Sequence, residues 1–213
     1  MRKTIILIAT FIMIFGSVVS AASFSDLPSN HWAASYINTL ADNKVINGYP
    51  DGTFGPDKTL TYGEFIKLIV TASLPDVDFN EVEKRIDHWA APYLTVLENY
   101  EIVGEGWTTP EDLDGTISRI EVVRIMGECD IKIRQKSQKT TSLNFSDIDE
   151  LALDQISLLR HAVASGIING DPAGTFRPND TLIRSEAAKI IYIYNLLNIY
   201  LAFLIYICYN IKY

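Results

Sequence analysis

Apolar residues recur along the chain at the spacing of short amphipathic helices. Four of them share one face of a helix predicted from about His31 to Asn43, with Ser29 or Asn30 available as its N-cap. These four residues are Trp32, Tyr36, Ile37 and Leu40. A segment rich in glycine, proline and aspartate follows, and its turn-forming residues predict a shaped loop.

A second helix is predicted to begin after Thr61, because Thr61 and Glu64 have the spacing of a capping box. In this motif the threonine oxygen accepts a hydrogen bond from the Glu64 amide while the glutamate side chain reaches back. Ser118 and Glu121 repeat the motif farther along the chain. At the third equivalent position Ile183 replaces the hydroxyl residue, so half of the box is expected to be missing there.

This helix-loop-helix pattern occurs three times. The first and third copies share Phe-Ser-Asp, Ile-Asn-Gly and Gly-Thr-Phe in the same order. The more divergent second copy keeps His-Trp-Ala-Ala and ends on Ser-Arg-Ile-Glu. Two short helices bury little apolar surface alone, so the copies are expected to form one stable unit. The prediction is a mostly α-helical protein built from three tandem helix-loop-helix repeats.

The repeats divide the chain into six segments. The stretch from Lys132 to Ser142 is rich in lysine, serine and threonine, and it reads as a linker between the second and third copies. The predicted segments are a signal peptide at 1–22, repeat 1 at 23–73, a degenerate repeat 2 at 74–134, a linker at 135–142, repeat 3 at 143–198 and an apolar tail at 199–213.

The first segment has the pattern of a secretory signal. Arg2 and Lys3 precede an uncharged run from Thr4 to Val19, and small residues allow cleavage after Ala21 or Ala22. An uncleaved membrane anchor is the alternative, but the run is shorter than the roughly 20 residues that span a bilayer. We therefore expect a secreted protein.

Composition limits the ligands that the protein can attract. Of its 213 residues 48% are apolar, and 18 lysines and arginines against 26 aspartates and glutamates give a formal charge of −8. The positive field that drives nucleic-acid binding is missing, so an anionic ligand would need a few well-placed cations. Cys129 and Cys208 are too few for a disulfide scaffold, and both are expected to be buried as small hydrophobic residues.

The repeated motifs resemble the S-layer homology family, whose repeat reads roughly F-x-D, W-A, G-I/V-x-G, D-G-x-F-x-P and T-R-A-E, usually in threes. The resemblance covers Phe24 to Asn198. It implies a pseudo-threefold, mostly helical bundle. Grooves between its neighbouring repeats would bind the secondary polysaccharide attached to bacterial peptidoglycan, commonly through a pyruvate ketal on an amino sugar. Such binding would hold a secreted protein on the cell wall or in the S-layer without a covalent bond.

Two arginines are the candidate ligand-binding cations. Arg119 and Arg184 stand in the first turn of a predicted helix, where the macrodipole makes a cation mildly unfavourable. A bound carboxylate would compensate, because it would receive free backbone amides and a bidentate guanidinium together. Solvation or pairing with a nearby acid is the alternative for either arginine. In the first repeat Tyr62 replaces the arginine, so at most two strong sites are expected.

Two tryptophans are candidates for stacking against a sugar ring. Trp32 and Trp89 each offer a flat face for such a contact. A tryptophan on the apolar stripe of a helix is more often a core residue, so wholly buried packing is the favoured alternative. The third repeat has Asp154 at the aligned position.

Three aspartates and two glycines complete the candidate ligand contacts. Asp26, Asp87 and Asp147 could accept hydrogen bonds from sugar hydroxyls, or could equally cap a helix. Gly48 and Gly170 could bring backbone amides close to a ligand by adopting a positive φ, although turn geometry alone would also explain them.

The sequence predicts a binding protein rather than an enzyme, with no catalytic residue, metal site or cofactor. His31, His88 and His161 lack a partner at ligand spacing and are interpreted as surface or capping histidines. The loop at Asp51 and Gly52 lacks the alternating ligands of an EF-hand. A hydrolase acting through scattered carboxylates stays open, but nothing singles out a pair.

The end of the chain supplies an alternative function. From Ile190 to Ile211 no side chain is charged, and this run is long enough to span a bilayer. Its first part is needed as the second helix of repeat 3, so we favour a helix that ends near Asn198 and an apolar tail after it. If the tail contacts a membrane, the protein would be a membrane-tethered extracytoplasmic interaction module.

Overall fold

The computed structural model describes residues 24–103 and 109–196. Within these ranges the chain forms helices joined by loops, with isolated β-bridges and no β-strand, so the mostly α-helical prediction is confirmed. The predicted signal peptide at 1–22 and apolar tail at 199–213 lie outside the described residues. No helix of the described ranges has both the length and the apolarity needed to cross a membrane.

Each repeat contributes a first helix and a second helix to the bundle. The helices are α1 (Ala34–Asp42), α2 (Tyr62–Ser73), α3 (Ala91–Asn99), α4 (Pro110–Asp114), α5 (Arg119–Glu128), α6 (Leu153–Ala164) and α7 (184–196). The short α4 lies between the two main helices of repeat 2, and a π-helical turn, Cys129–Ile133, continues directly from α5.

Side-chain caps fix where the second helices begin. Thr61 Oγ1 accepts a hydrogen bond from the Glu64 amide at 3.2 Å, and Glu64 Oε2 accepts one from the Thr61 amide at 3.1 Å. The predicted capping box is thus confirmed. In the third repeat only the reciprocal half remains, in which the Ile183 amide donates to Glu186 Oε2 at 3.3 Å.

Histidines organise the starts of the first helices. The helix of repeat 1 begins at Ala34 rather than near His31, and no side chain caps it in the way that the sequence predicted. Instead, His31 Nδ1 accepts a hydrogen bond from the Ala33 amide at 3.2 Å, and His88 Nδ1 does the same for Ala90 at 3.1 Å. The capping interpretation of these two histidines is therefore confirmed.

The three repeats meet where their loops enter the second helices. Backbone hydrogen bonds close a ring there: Leu60 N donates to Leu182 O at 2.8 Å, Leu182 N to Ile117 O at 3.4 Å, and Ile117 N to Leu60 O at 3.2 Å. All three side chains are buried. Each repeat thus contacts both others in the same cyclic sense, as a pseudo-threefold axis would require, and the symmetry of the whole bundle stays a prediction.

One hydrophobic core runs through the repeats. Cys129 is buried in it as expected, and burial raises the pKa of its thiol, while Cys208 lies outside the described residues. Tyr194 of repeat 3 places its hydroxyl 3.0 Å from Ser73 Oγ of repeat 1. The guanidinium carbon of Arg134 lies 3.3 Å from the centre of the Tyr194 ring. These contacts join the ends of three second helices.

The surface or capping interpretation of His161 is wrong, because this side chain is fully buried. Its Nε2 lies 3.2 Å from Oδ2 of buried Asp130, and its Nδ1 accepts a hydrogen bond from the Lys139 amide at 2.9 Å. Lys136 Nζ lies 3.0 Å from the other carboxylate oxygen of Asp130. The predicted linker at 135–142 has no helix, and these contacts hold it against α6.

Candidate functional site

Two aspartates hold the loops that border the candidate sites. Asp26 accepts hydrogen bonds from the amides of Phe54 and Gly55, both at 2.7 Å, one on each carboxylate oxygen. Asp147 accepts equivalent bonds from the Phe176 amide at 2.8 Å and from the next amide at 2.7 Å. Burial opposes ionisation of Asp26, but its backbone donors outweigh burial and lower its pKa, and the Phe176 amide is the main cause of the lowered pKa of Asp147. Both carboxylates therefore organise loops rather than cap a helix, and their direct contact with a sugar stays a prediction.

Asp87 does not share this role. Asp87 directly precedes His88, which accepts a hydrogen bond from the Ala90 amide as His31 does from the Ala33 amide. The counterpart of Asp87 in repeat 1 is therefore Asn30, the residue before His31. The side chain of Asp87 is exposed. The grouping of Asp87 with the two loop-organising aspartates does not hold in the structure.

One groove, which we call the Lys67 groove, is a cavity of about 180 Å³ built by all three repeats. Repeat 1 supplies the loop and two charged side chains of α2, repeat 2 supplies a tryptophan and repeat 3 an arginine. The residues that define this groove are Asn47, Gly48, Glu64, Lys67, Trp89 and Arg184.

A second groove, which we call the Arg119 groove, is a cavity of about 240 Å³ with the same kinds of groups at matching positions. Repeat 3 supplies the loop and two charged side chains of α7, repeat 1 the tryptophan and repeat 2 the arginine. Its defining residues are Asn169, Gly170, Glu186, Lys189, Trp32 and Arg119. The structure thus brings the predicted tryptophans, arginines and glycines together in two sites.

The arginine of the Lys67 groove is paired within the protein. Arg184 is only 7% exposed, and its Nη1 donates to Glu64 Oε1 at 2.6 Å. Its Nε donates to the carbonyl of Phe54 at 2.9 Å, and its guanidinium carbon lies 4.7 Å from the centre of the Tyr49 ring. Of the alternatives stated for this arginine, pairing with a nearby acid is confirmed.

The arginine of the Arg119 groove is held at one end only. Arg119 is half-buried, and its Nε donates to the carbonyl of Phe176 at 2.9 Å, as Arg184 does to Phe54. Within the described parts of the chain Arg119 forms no ion pair, in contrast to Arg184. Its guanidinium is therefore oriented by the loop, and its two terminal nitrogens form no hydrogen bond with the described residues.

Wholly buried packing of the two tryptophans, the favoured alternative from the sequence, is wrong. Trp32 is 51% exposed and Trp89 is 49% exposed, and each forms a wall of a groove. The reason is that α1 begins only at Ala34, so Trp32 stands in the turn before the helix and not on its apolar stripe. Asp154, aligned with them in repeat 3, lies in the first turn of α6.

The two groove glycines are required by packing rather than by backbone conformation. Neither Gly48 nor Gly170 has a positive φ, so that part of the expectation is wrong. A Cβ at position 48 would lie 2.5 Å from the Phe24 ring and 2.6 Å from the Thr53 carbonyl oxygen. At position 170 it would meet the ring of Phe145 in the same way. The phenylalanine of each Phe-Ser-Asp motif therefore demands a glycine opposite it.

The third position, which corresponds to the two grooves but has Tyr62 in place of the arginine, contains a different set of groups. There Glu121 pairs with Arg124, three residues later on the same helix, at 3.0 Å, and Arg124 Nη1 donates to the Ile102 carbonyl at 2.9 Å. Burial and the charge of Glu121 raise the pKa of Tyr62, which stands where the other two positions have an arginine. Residues 104–108, next in sequence to this position, lie outside the described residues.

Two lysines of the grooves were missed from the sequence. Lys67 and Lys189 each follow a capping glutamate by three residues, which places them over that glutamate on the same helix face. The spacing from Glu64 and Glu186 could have identified both.

The comparisons with known proteins agree with the repeat pattern. A sequence model of the S-layer homology domain matches residues 23–66 and 161–188. The chain is 31% identical over 201 residues to an S-layer protein of Bacillus licheniformis, covering 89% of this chain and 22% of that protein. It is 35% identical over 88 residues to a cellulosome-anchoring protein of Acetivibrio thermocellus, covering 37% of this chain and 19% of that protein.

An enzyme is also among the relatives. The chain is 28% identical over 184 residues to the exoglucanase XynX of Acetivibrio thermocellus, covering 83% of this chain and 16% of the enzyme. The chain thus spans less than a quarter of the length of each of these three relatives. The two matched segments contain the loops, glycines and capping glutamates of both grooves, so these two parts of the chain match the S-layer homology domain.

Proposed function

We propose that the chain holds a secreted bacterial protein on the cell wall, without a covalent bond, by binding an acidic secondary wall polysaccharide in its two grooves. One observation carries the proposal: two separate grooves present a tryptophan, cations and a glycine-containing loop in the same arrangement. The match of two segments to the S-layer homology domain, which is an anchoring module, supports a secreted protein at the cell surface or cell wall.

The groups in each groove suit an acidic sugar. A half-exposed indole can cover the C–H face of a sugar ring, and a neighbouring lysine or arginine can pair with a carboxylate. A pyruvate ketal on an amino sugar offers both features in one residue of a polymer. Because the whole chain carries a formal charge of −8, attraction of an anionic polymer depends on these local cations and should weaken with added salt.

Two grooves on one chain suit a repetitive polymer. When one groove has bound, the second meets its ligand at a high effective concentration, so the joint affinity can exceed that of one groove by about 10²–10⁴. A weak individual site is therefore compatible with a stable anchor.

The relatives support anchoring as the task of this region. One is named as a cellulosome-anchoring protein and another as an S-layer protein. The match to the exoglucanase covers only 16% of that enzyme, so we attribute this similarity to a shared anchoring region and propose no catalytic activity for the described residues.

Sedimentation with purified wall sacculi tests the proposal. The full chain is mixed with sacculi before and after chemical removal of the secondary polysaccharide, beside a Trp32→Ala/Trp89→Ala double variant. We expect the wild-type protein to sediment only with intact sacculi, and the double variant to stay in the supernatant. Leu153→Ala is the matched control, because Leu153 is an exposed apolar side chain outside both grooves.

Two results would contradict the proposal. Equal sedimentation with intact and stripped sacculi would place attachment outside the polysaccharide, and the predicted tail at 199–213 would then be the first segment to delete. Binding of the double variant at the level of Leu153→Ala would show that the grooves are not used.

A further inference from the structure

We infer that the two grooves hold the acidic group of the glycan with different cations, Lys67 in one and Arg119 in the other, while Arg184 serves the fold. The inference rests on the proposed function and adds the residue that each groove uses. It changes which side chains a binding experiment should remove, because the two arginines occupy matching positions but are not equivalent.

Arg184 is already bound by groups of the protein itself. Its three guanidinium nitrogens each donate to a protein group. Nη1 donates to Glu64 at 2.6 Å, Nε to the Phe54 carbonyl at 2.9 Å and Nη2 to the Asn47 carbonyl at 3.5 Å. Its side chain is 8% exposed. A ligand carboxylate could reach this group only by breaking an ion pair that is largely buried, which is costly.

Lys67 carries the net charge of its groove. The Glu64 and Arg184 charges cancel, and Lys67 is the third charged residue of the lining. Its Nζ lies 5.9 Å from the centre of the Trp89 ring. A sugar ring stacked on Trp89 would therefore bring a carboxylate substituent within reach of the ammonium. Burial, and then the like charge of Arg184, lower the pKa of Lys67, so an anion beside it would favour its charged form.

Within the described residues, Arg119 lacks the ion pair and the three hydrogen-bonded nitrogens that occupy Arg184. Asp171 aligns with Tyr49 and pairs with Arg177 at 3.4 Å. Glu186, the counterpart of Glu64, forms no ion pair with Arg119 in the described parts of the chain. The Arg119 side chain makes one hydrogen bond, to the Phe176 carbonyl, and no ion pair with any residue that the structure describes. Its planar fork can bind a carboxylate bidentately, whereas the Lys67 ammonium acts as a point charge. The Arg119 groove should be the tighter site.

Calorimetric titration tests the assignment. The probe is the methyl glycoside of an N-acetylhexosamine that carries a pyruvate ketal, and the same sugar with its ketal carboxylate methyl-esterified is the control ligand. The wild-type full chain should show two binding events that differ about tenfold in affinity. Lys67→Met should remove the weaker event and Arg119→Met the tighter one. Lys84→Met should keep both, because Lys84 is exposed and outside the grooves.

Thermal melting separates binding from folding. Arg184→Met should lower the melting temperature because it leaves Glu64 unpaired, while Lys67→Met and Arg119→Met should melt within a few degrees of the wild type. If Arg184→Met melts like the wild type and loses one binding event, Arg184 is a ligand residue and the inference is wrong.

Sedimentation of the same variants with sacculi distinguishes the inference from the proposed function. If the wild-type protein does not sediment, the proposed function fails and the inference with it. If the wild type sediments and either groove variant binds sacculi as well as Lys84→Met, the inference is wrong while the function stands. Weaker binding by both groove variants is the expected result.

Discussion

Among single residues, the loop-organising aspartates explain how a short loop becomes a groove wall. Each carboxylate accepts hydrogen bonds from two successive amides, which fixes the loop that carries Asn47 and Gly48 in one groove and Asn169 and Gly170 in the other. A change at either aspartate should therefore alter stability first.

Asp26→Asn should lower the free energy of unfolding by about 1–2 kcal/mol. Asparagine offers one acceptor oxygen where the carboxylate offers two, so one of the bonds from the Phe54 and Gly55 amides is lost. Urea denaturation measures the change. Asp57→Asn, an exposed carboxylate in the same loop, is the matched control and should change stability by less than about 0.5 kcal/mol. Equal losses in the two variants would contradict the loop-organising role.

Several residue assignments could be read from the sequence because their signals are local. Thr61 and Glu64 stand three positions apart, and a capping box needs nothing else. The pairing of Arg184 with Glu64 could not be read, since these residues are 120 positions apart and meet only through the cyclic packing of the repeats. The burial of His161 depends in the same way on Asp130, which is 31 positions away.

At the scale of elements, the second helices differ in the quality of their caps. Repeat 1 has the full box, whereas repeat 3 keeps only the bond from the Ile183 amide to Glu186. The sequence identified this difference because it lies in one residue. It could not predict where α1 begins, since a histidine that accepts a backbone hydrogen bond replaced the expected cap.

Ile183→Thr should stabilise the protein by about 0.5–1 kcal/mol. The threonine hydroxyl would accept a hydrogen bond from the Glu186 amide and complete the box, and the β-branched shape that suits the bridge to Thr59 is retained. Thermal melting measures the gain, with Ile183→Val as the matched control without a hydroxyl. Equal melting temperatures for the two variants would contradict the prediction.

The π-helical turn and α6 are joined by a buried charge. Burial would raise the pKa of Asp130, but the hydrogen bonds and charges of His161, Lys136 and Arg134 outweigh it and lower that pKa. Because the pKa of Asp130 is lower in the folded than in the unfolded state, its ionised carboxylate stabilises the fold at pH values above the unfolded-state pKa of about 3.8. This stabilisation is lost as the pH falls below about 3.8 and through the lower folded-state pKa.

Asp130→Asn should therefore cost about 3 kcal/mol at neutral pH and remove part of the acid sensitivity. Urea denaturation at about pH 6 and about pH 3 measures both effects. The wild type should lose more stability between these values than the variant. Asp149→Asn, at an exposed carboxylate, should keep the wild-type pH dependence of stability. If Asp130→Asn loses as much stability between the two pH values as the wild type does, Asp130 does not contribute to the acid sensitivity.

For the whole molecule, the closed ring of backbone hydrogen bonds makes each groove a product of three repeats. The Lys67 groove takes its loop, tryptophan and arginine from three different repeats, and the Arg119 groove does so in the same cyclic order. The sequence predicted at most two strong sites from Tyr62 alone. The sequence also places Asp154 at the position of the missing tryptophan, and the structure adds the Glu121–Arg124 pair at the third position.

Cooperation between the grooves predicts a characteristic pattern of affinities. Trp32→Ala and Trp89→Ala should each weaken binding to sacculi by about 10²-fold or more, because each variant loses the avidity of two sites. Binding curves at constant salt measure the effect, with Leu153→Ala as the control. If one single variant binds like the control and the other like the double variant, a single groove carries all binding.

The most direct measurement observes both tryptophans while the ligand binds. The chain contains three tryptophans, so 5-fluorotryptophan labelling gives three fluorine resonances, and single Trp→Phe variants assign them. On titration with fragments of the secondary wall polysaccharide, we predict that the resonances of Trp32 and Trp89 both shift and saturate, and that fragments stripped of their acidic groups shift neither. If both resonances stay unchanged at fragment concentrations that displace the protein from sacculi, the polysaccharide is bound elsewhere and the two grooves are not its sites.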